Sequence, residues 1–236
     1  MGRRFTGMAW LAASLMLTLG APALGQSMSV SPSLVEVDAR RTSSAVTVHN
    51  LSDHPMAVQV RGFDWQQRNG EDTLTETARL TVSPPLATIA AGSTQTFRIL
   101  LAPGPRTQEQ SFRLIFDQLP DLDGAAAMAM RFRLSVPVFA KGMTTDQSPA
   151  QIEWRQEGGR LFATNLGGRH GRFRSLTLAS LDGAQQWQLP LGKTPYLLSG
   201  TQRSWPVAES MPAGWRLSGM TDQGPIDVMV ARTPAP

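Results

Sequence analysis

Apolar and polar residues alternate along most of the chain, and this alternation predicts β-strands. Segments such as residues 56–61, 96–101 and 112–117 place apolar side chains at every second position, which is the period of a strand with one buried face. Turn-forming pairs such as Asn69-Gly70 separate these segments. Little of the chain has the 3.6-residue period of an amphipathic helix. The pattern is typical of a β-sandwich or barrel.

One predicted strand is longer and more regular than the others. Its apolar face is formed by Met128, Met130, Phe132, Leu134, Val136 and Val138. Residues 128–140 would extend over roughly 43 Å as a strand, well beyond the usual five or six residues. Pro137 has no N–H to donate, which predicts an edge strand or a strand that leaves its sheet.

This strand has two interpretations. Its apolar face fills the protein's own core, or part of it is offered to a partner that pairs with the strand edge. The two methionines at its start suit the second interpretation, because thioether side chains adapt to varied pockets.

A polar segment, residues 142–149, follows the long strand and is predicted to link two domains. The first domain is assigned to residues 26–141 and the second to residues 150–232, with a disordered tail at 233–236. Seven short strand candidates predict that the second domain is also a small sandwich. They are residues 152–155, 161–165, 173–179, 186–189, 196–207, 215–218 and 226–231.

The first 25 residues have the features of a secretory signal peptide. Arg3 and Arg4 precede an apolar run, Met8–Leu19, and the small residues of Ala23-Leu24-Gly25 predict cleavage before Gln26. A membrane anchor is the alternative, but the run is short for a bilayer span. No later segment is apolar for about 18 residues, so the remainder is expected to be exported and soluble.

Composition removes several classes of function. The chain has no Cys and three widely spaced His, which argues against a disulfide scaffold, a thiolate zinc site, a Cys nucleophile and a multi-His metal site. It carries 22 Lys and Arg against 18 Asp and Glu, and two of those Arg lie in the signal peptide. The exported part is therefore near neutral, which gives no argument for nucleic-acid binding.

No enzymatic motif is apparent. The chain has no nucleophile elbow and no phosphate-binding P-loop. Residues 167–171 are glycine-rich but lack the order of a dinucleotide fingerprint, so we interpret them as a loop between strands. Asp121 and Asp123 lie in a predicted turn, where Asp is common. We predict neither catalysis nor a cofactor.

Several segments together resemble a known family. They are residues 83–86 (SPPL), 91–99 (AGSTQTFRI), 109–120 (EQSFRLIFDQLP), 130–140 (MRFRLSVPVFA) and the region of Asn165 and Gly167. In this order they resemble the periplasmic pilus-assembly chaperones of the chaperone–usher pathway, the PapD-like family. The resemblance covers the chain after the signal peptide.

The resemblance implies an all-β fold of two immunoglobulin-like sandwiches set at an angle, with a cleft between them. It implies a chaperone in the periplasm of a Gram-negative bacterium that binds pilin subunits and delivers them to an outer-membrane usher. Such a chaperone lends its G1 strand to complete the pilin fold. When the protein is free, the strand either stays exposed or is covered by self-association, and the sequence leaves both options open. Here the donor-strand residues are Met128, Met130 and Phe132, with Leu134 as a fourth.

One departure from the family concerns the anchor for the pilin C-terminal carboxylate. Most members use an Arg and a Lys at positions that correspond here to Leu34 and Pro137. Neither residue binds a carboxylate, so the sequence resembles the archaic branch, and Arg113 becomes the candidate anchor because a guanidinium grips a carboxylate bidentately. The alternative is that Arg113 faces solvent. Arg131 and Arg133 are weaker candidates, expected on a solvated face.

The resemblance also implies a network of ion pairs between the domains. Glu109, Lys141 and Asp222 match its positions.

Two other functions stay open. The chain could be a secreted two-domain β-sandwich adhesin or structural pilus component, or a β-sandwich hydrolase or carbohydrate-binding module. An adhesin predicts an exposed aromatic site, but most of the available tryptophans fall inside strand patterns that indicate core positions. They are Trp154, Trp187, Trp205 and Trp215.

Overall fold

A computed structural model describes residues 28–68, 70–120, 132–143, 148–207 and 214–230. The predicted signal peptide, the tail at 233–236 and the donor residues Met128 and Met130 lie outside the described residues, as do Arg131 and the Asp121–Asp123 turn. Strands form throughout the described ranges, and no helix occurs in them. Nor, in these ranges, is there a helix with the length and apolar character needed to cross a membrane.

The first part of the chain contains ten strands. They are β1 (Met28–Ser31), β2 (Val35–Val37), β3 (Ser43–Asn50), β4 (Met56–Arg68), β5 (Glu71–Glu76), β6 (Leu80–Ser83), β7 (Leu86–Ile89), β8 (Thr94–Leu101), β9 (Gln110–Gln118) and β10 (Arg133–Ala140). One sheet has the order β1-β3-β8-β6, and the other has the order β2-β10-β9-β4-β5 with β7 beside β4.

These two sheets form a sandwich because their alternating apolar residues face each other. Val48 of β3, Phe97 of β8 and Phe116 of β9 are fully buried in one core. The rings of Phe97 and Phe116 meet edge to face across the two sheets, with centroids 6.1 Å apart, a favourable aromatic geometry.

The second part contains eight strands in two further sheets. They are β11 (Ile152–Glu157), β12 (Arg160–Asn165), β13 (Gly171–Ser180), β14 (Gln186–Gln188), β15 (Tyr196–Leu197), β16 (Gln202–Pro206), β17 (Trp215–Thr221) and β18 (Gly224–Val230). The sheet β11-β12-β16 packs on β14-β13-β17-β18, with β15 beside β13. Phe173, Trp205 and Trp215 lie in a second core. The candidate strand 196–207 is two strands, because Gly200 turns the chain with φ of 70°.

The tryptophans of the second sandwich do not all lie in its core. Trp205 and Trp215 are buried, and Trp154 packs partly against the core. Trp187 is 40% exposed and is the exception to the core positions predicted for most of these tryptophans. It lies on the short edge strand β14, where one face meets solvent.

Each sandwich contains a buried asparagine in an equivalent position. Asn50 ends β3, Asn165 ends β12, and both are completely buried. Each side-chain amide donates to the carbonyl four residues further on, at 2.7 and 2.8 Å. Each Oδ1 accepts from the N–H two residues further on, at 3.0 and 2.9 Å. The two sandwiches thus share the same turn, in which a buried asparagine at a strand end bonds the residues that follow it. We call each of these turns an asparagine corner, and the sequence pattern does not reveal it as a repeat.

Candidate functional site

The strand β10 has a free edge over most of its length. On one side it pairs with β9 along its whole length, from Arg133 opposite Asp117 to Ala140 opposite Gln110. On the other side it pairs with β2 only through Val138–Ala140. Within the described ranges, residues 133–137 therefore have no partner strand on that side. This agrees with the edge position predicted from Pro137.

The apolar face of β10 divides into two halves. Val136 and Val138 are buried in the first core, so this half fills the protein's own interior. Leu134 and Phe132, two predicted donor residues, are only partly buried against the same core. Their remaining apolar surface lies at the end of the strand where the edge is free.

The opposite face of this sheet carries the polar and charged groups of the site. Odd-numbered residues of β9 point away from the first core, and each meets one residue of β4 and one of β10. The three rows are Phe63–Arg113–Pro137, Arg61–Ile115–Ser135 and Gln59–Asp117–Arg133.

Arg113 is buried at one end of this face. Only 6% of the residue is exposed, so the alternative of a solvent-facing strand arginine is wrong. Its guanidinium lies 3.7 Å from the centre of the Trp65 ring and 5.7 Å from that of Tyr196. Burial lowers its pKa, while Asp72 and Tyr196 act in the opposite direction.

One nitrogen of this guanidinium is unpaired. Nη2 of Arg113 is buried and has no hydrogen-bond partner. A desolvated cation with a spare donor favours an anionic ligand, because a charge-assisted hydrogen bond would satisfy both the charge and the donor.

Leu34 and Pro137, the positions that correspond to the usual anchor residues, lie close to Arg113. Pro137 stands directly opposite it on β10. Leu34 packs against the cluster that contains Trp65 and Tyr196, the two rings beside the guanidinium. Both positions therefore supply apolar surroundings to a single cation.

A second charged group lies at the other end of the face. Asp117 accepts a hydrogen bond from Arg61 at 2.9 Å and one from Arg133 at 2.5 Å. Burial alone would raise the pKa of Asp117, but the hydrogen bonds and charges of Arg133 and Arg61 outweigh it and lower the pKa. A cavity of about 370 Å³ adjoins this group and is lined also by Phe132.

Glu109, one of the predicted interdomain residues, contacts the second sandwich. Its side chain is 2% exposed, and Oε1 accepts from the backbone N–H of His170 at 2.7 Å and contacts Nδ1 of the same residue at 2.9 Å. Arg169 lies 3.9 Å from the other carboxylate oxygen. The His170 ring stacks on Phe139 of β10, with centroids 3.4 Å apart.

The other two predicted members of the network have different partners. Lys141 pairs with Asp38 at 3.2 Å inside the first sandwich. Asp222 accepts from the backbone N–H of Arg172 at 3.1 Å inside the second. Lys141 and Asp222 are therefore held by partners in their own sandwiches, and within the described residues no contact joins them to Glu109 in one network.

The side-chain amide of Gln67 also joins the two sandwiches, and the sequence did not indicate this contact. It accepts from the N–H of Leu198 at 2.9 Å and the hydroxyl of Thr201 at 3.0 Å, and it donates to the carbonyl of Tyr196 at 2.9 Å. It therefore pairs with the backbone around β15 much as a strand would. Nothing in the polar face of β4 distinguishes Gln67 beforehand.

Asp72 completes this contact. It accepts hydrogen bonds from the Trp65 indole N–H at 3.0 Å and from the hydroxyl of Thr194. A cavity of about 340 Å³ lies between the sandwiches, lined by Trp65 and Glu109 on one side and by Leu198 on the other. It forms a cleft beside Arg113's aromatic neighbours.

The described residues contain no group of three or more His, Asp or Glu that could hold a metal ion. Residues 167–170 form the loop between β12 and β13, as interpreted from the sequence. The glycine at 167 is required there, since a Cβ would approach the carbonyl oxygen of Pro149 to 2.1 Å.

Comparison with known families gives one match, over residues 27–143, to the family described as pili and flagellar-assembly chaperone, PapD N-terminal domain. A comparison with curated protein sequences finds no match.

Solved structures of pilus chaperones share the fold. The chaperone–tip adhesion subunit complex CsuC–CsuE, from archaic chaperone–usher Csu pili of Acinetobacter baumannii, gives a TM-score of 0.66 at 24% identity, covering 89% of this chain and 100% of that one. The Salmonella enterica SafA pilin–SafB chaperone complex gives 0.66 at 16%, covering 86% and 96%. The Pseudomonas aeruginosa CupB2 chaperone gives 0.61 at 17%, covering 86% and 100%. The two sandwiches are therefore of the immunoglobulin-like kind found in PapD-like chaperones.

Proposed function

We propose that this chain, whose residues 27–143 belong to the family of the PapD N-terminal domain of pilus-assembly chaperones, binds pilin subunits by donating an edge strand to them. It then delivers them to an outer-membrane usher. On this proposal the chain is a binding protein rather than an enzyme. It is exported to the periplasm by residues 1–25, and its two domains are residues 26–141 and 150–232.

The observation that carries the proposal is the free edge of β10. Residues 133–137 expose backbone groups on one side, and Phe132 and Leu134 offer apolar surface at the same place. Burying two such side chains in a partner's groove would contribute ~1.5–3 kcal/mol each before the cost of ordering. Backbone pairing would add affinity that does not depend on sequence.

Arg113 supports the same function. A buried guanidinium with an unpaired nitrogen lies beside the end of the free edge. A C-terminal carboxylate placed there would gain a charge-assisted hydrogen bond. Arg113 is thus the proposed carboxylate anchor, while Leu34 and Pro137 shape its surroundings.

Co-expression tests this function. The protein is produced together with candidate pilin subunits, and a soluble 1:1 complex is isolated by a tag on the chaperone. We expect Phe132→Asp to abolish the complex, since it places a charge in the partner's groove. Leu100→Asp, an apolar-to-acidic change at an exposed position of the opposite sheet, is the matched control and should leave the complex intact.

Urea unfolding of the free Phe132→Asp variant separates loss of binding from loss of fold. A folded variant that still captures pilin would contradict the donor-strand function.

A further inference from the structure

The geometry of the free edge determines the direction of an added strand. β2 already occupies the edge at Val138–Ala140, so a strand added along residues 133–137 must stop where β2 begins. Arg113, the proposed anchor, stands opposite Pro137 at that same end. A strand whose C-terminal carboxylate reaches Arg113 therefore runs parallel to β10, in line with β2, which is also parallel to it.

The strand period then determines which partner residue meets which chaperone residue. Side chains alternate between the two faces of a sheet, and four residues extend about 13 Å. If the last residue of the partner is level with Pro137, the residue four positions earlier is level with Arg133 and points to the same face. That face is the one that carries Arg61, Asp117 and Arg133.

Among the described residues, this face has an excess of positive charge at that level. Two arginines share the single carboxylate of Asp117, and the Arg133 side chain is 67% exposed. Nε of Arg61 is buried without a hydrogen-bond partner. Both arginines line the cavity of about 370 Å³ beside Phe132, which leaves room for a side chain.

We infer that the partner subunit carries an Asp or Glu four residues before its C-terminal residue and that this carboxylate binds at Arg133. The inference rests on the proposed function, because it takes the added strand and the anchor as given. Opposite charges directly across neighbouring strands stabilise a sheet, and the group Arg61–Asp117–Arg133 lacks one negative charge. The cluster would thus select among subunits by one side chain, separately from the terminal carboxylate.

Synthetic peptides test this selection. The probes are ten-residue peptides of alternating Val and Thr with a free C-terminal carboxylate and with Glu, Gln or Lys four positions before the last residue. Their affinities for the purified protein are measured by fluorescence anisotropy at low salt. We expect the Glu peptide to bind about two- to fivefold more tightly than the Gln peptide and the Lys peptide to bind most weakly.

Two changes should remove the preference. Moving Glu one position, to three before the last residue, turns it to the other face and should remove the gain. Arg133→Gln should equalise the Glu and Gln peptides, whereas Arg98→Gln, an exposed strand arginine of the opposite sheet, should not.

The outcomes separate this inference from the proposed function. Equal binding of the Glu and Gln peptides to the unmodified protein would overturn the inference alone. Failure of every peptide to bind would overturn the proposed function and the inference with it. A preference that survives Arg133→Gln would also overturn the inference.

Discussion

Arg113, the proposed anchor, has in the free protein the arrangement that a carboxylate site would require. Its guanidinium is desolvated between Trp65 and Tyr196 and keeps one nitrogen unpaired. Leaving a buried donor unsatisfied costs about 1–3 kcal/mol, and a partner's carboxylate would remove this penalty. On the proposed function, the free protein therefore bears the free-energy cost of the unpaired nitrogen, and binding of the carboxylate removes it.

Substitution of Arg113 should separate charge from geometry. Arg113→Ala should abolish pilin capture in pull-down assays, and Arg113→Lys should weaken it, since a lysine retains the charge but loses the planar fork. The free energy of unfolding of the free protein should change little in these variants, because burying an unpaired cation is itself costly to the fold. Capture by Arg113→Ala at the unmodified level would remove this residue from the site.

Asp117 should make stability depend on pH. Its pKa lies below the ordinary value of 3.8, so its ionised form stabilises the fold above that value, and this contribution is lost as the pH falls through the folded-state pKa. Urea unfolding should show that Asp117→Asn destabilises the protein at neutral pH, with the difference shrinking below about pH 4. A difference that stays constant into strong acid would contradict this account.

At the scale of elements, the buried asparagines Asn50 and Asn165 close equivalent corners of the two sandwiches. Each amide donates to carbonyls at strand ends, including Ile89 in the first sandwich and Leu197 in the second. Water cannot replace these hydrogen bonds, because Asn50 and Asn165 are both fully buried.

Removing either corner should destabilise its sandwich. Asn50→Ala and Asn165→Ala should each lower the free energy of unfolding by about 1–3 kcal/mol, as measured in urea. The exposed Gln223→Ala, in the β17–β18 turn, should change it by less than about 0.5 kcal/mol. Equal effects from the buried and exposed positions would show that the corners are not structural.

Strands β4, β8, β9 and β10 were predictable from the sequence because each has one face in the first core, whereas β5 has no buried residue and was not predicted. Alternation is strong in β8 and β9, where Phe97 and Phe116 point inward, and it also indicated β10. The separation of β15 from β16 was missed, because the turn at Gly200 lies inside the single candidate strand 196–207. Alternation of apolar and polar residues indicates which face of a strand is buried, but it does not indicate which residues pack against that face.

The site was less predictable for the same reason. Arg113 could be placed off the first core by its period, yet its burial depends on Trp65 of β4 and on Tyr196 of the other sandwich. His170 and Gln67 gave no signal, since their partners lie across the interface between the sandwiches. Contacts between distant segments leave no local pattern.

At the scale of the whole molecule, the two sandwiches are joined by groups of different strength. Glu109 and His170 are almost fully buried, while the ion pair of Arg169 with Glu36, at 2.7 Å, is partly exposed. Buried hydrogen bonds are costly to break, whereas exposed ion pairs contribute about 0–1 kcal/mol. The buried pair should therefore hold the interface.

Two matched substitutions test that ranking. Glu109→Ala strands the buried N–H of His170 and should lower the free energy of unfolding by about 1–3 kcal/mol. Glu36→Ala should lower it by no more than about 1 kcal/mol. Urea unfolding followed by tryptophan fluorescence measures both, and a larger cost for Glu36→Ala would reverse the assignment.

The central claim is that a pilin strand occupies the free edge of β10, and hydrogen exchange measures this most directly. Amide exchange is compared between the free protein and its complex with a co-expressed pilin. The account predicts new protection at the free-edge amides between Arg133 and Val136, with little change in β8 of the opposite sheet. A stable complex that leaves the exchange of β10 unchanged would contradict the account.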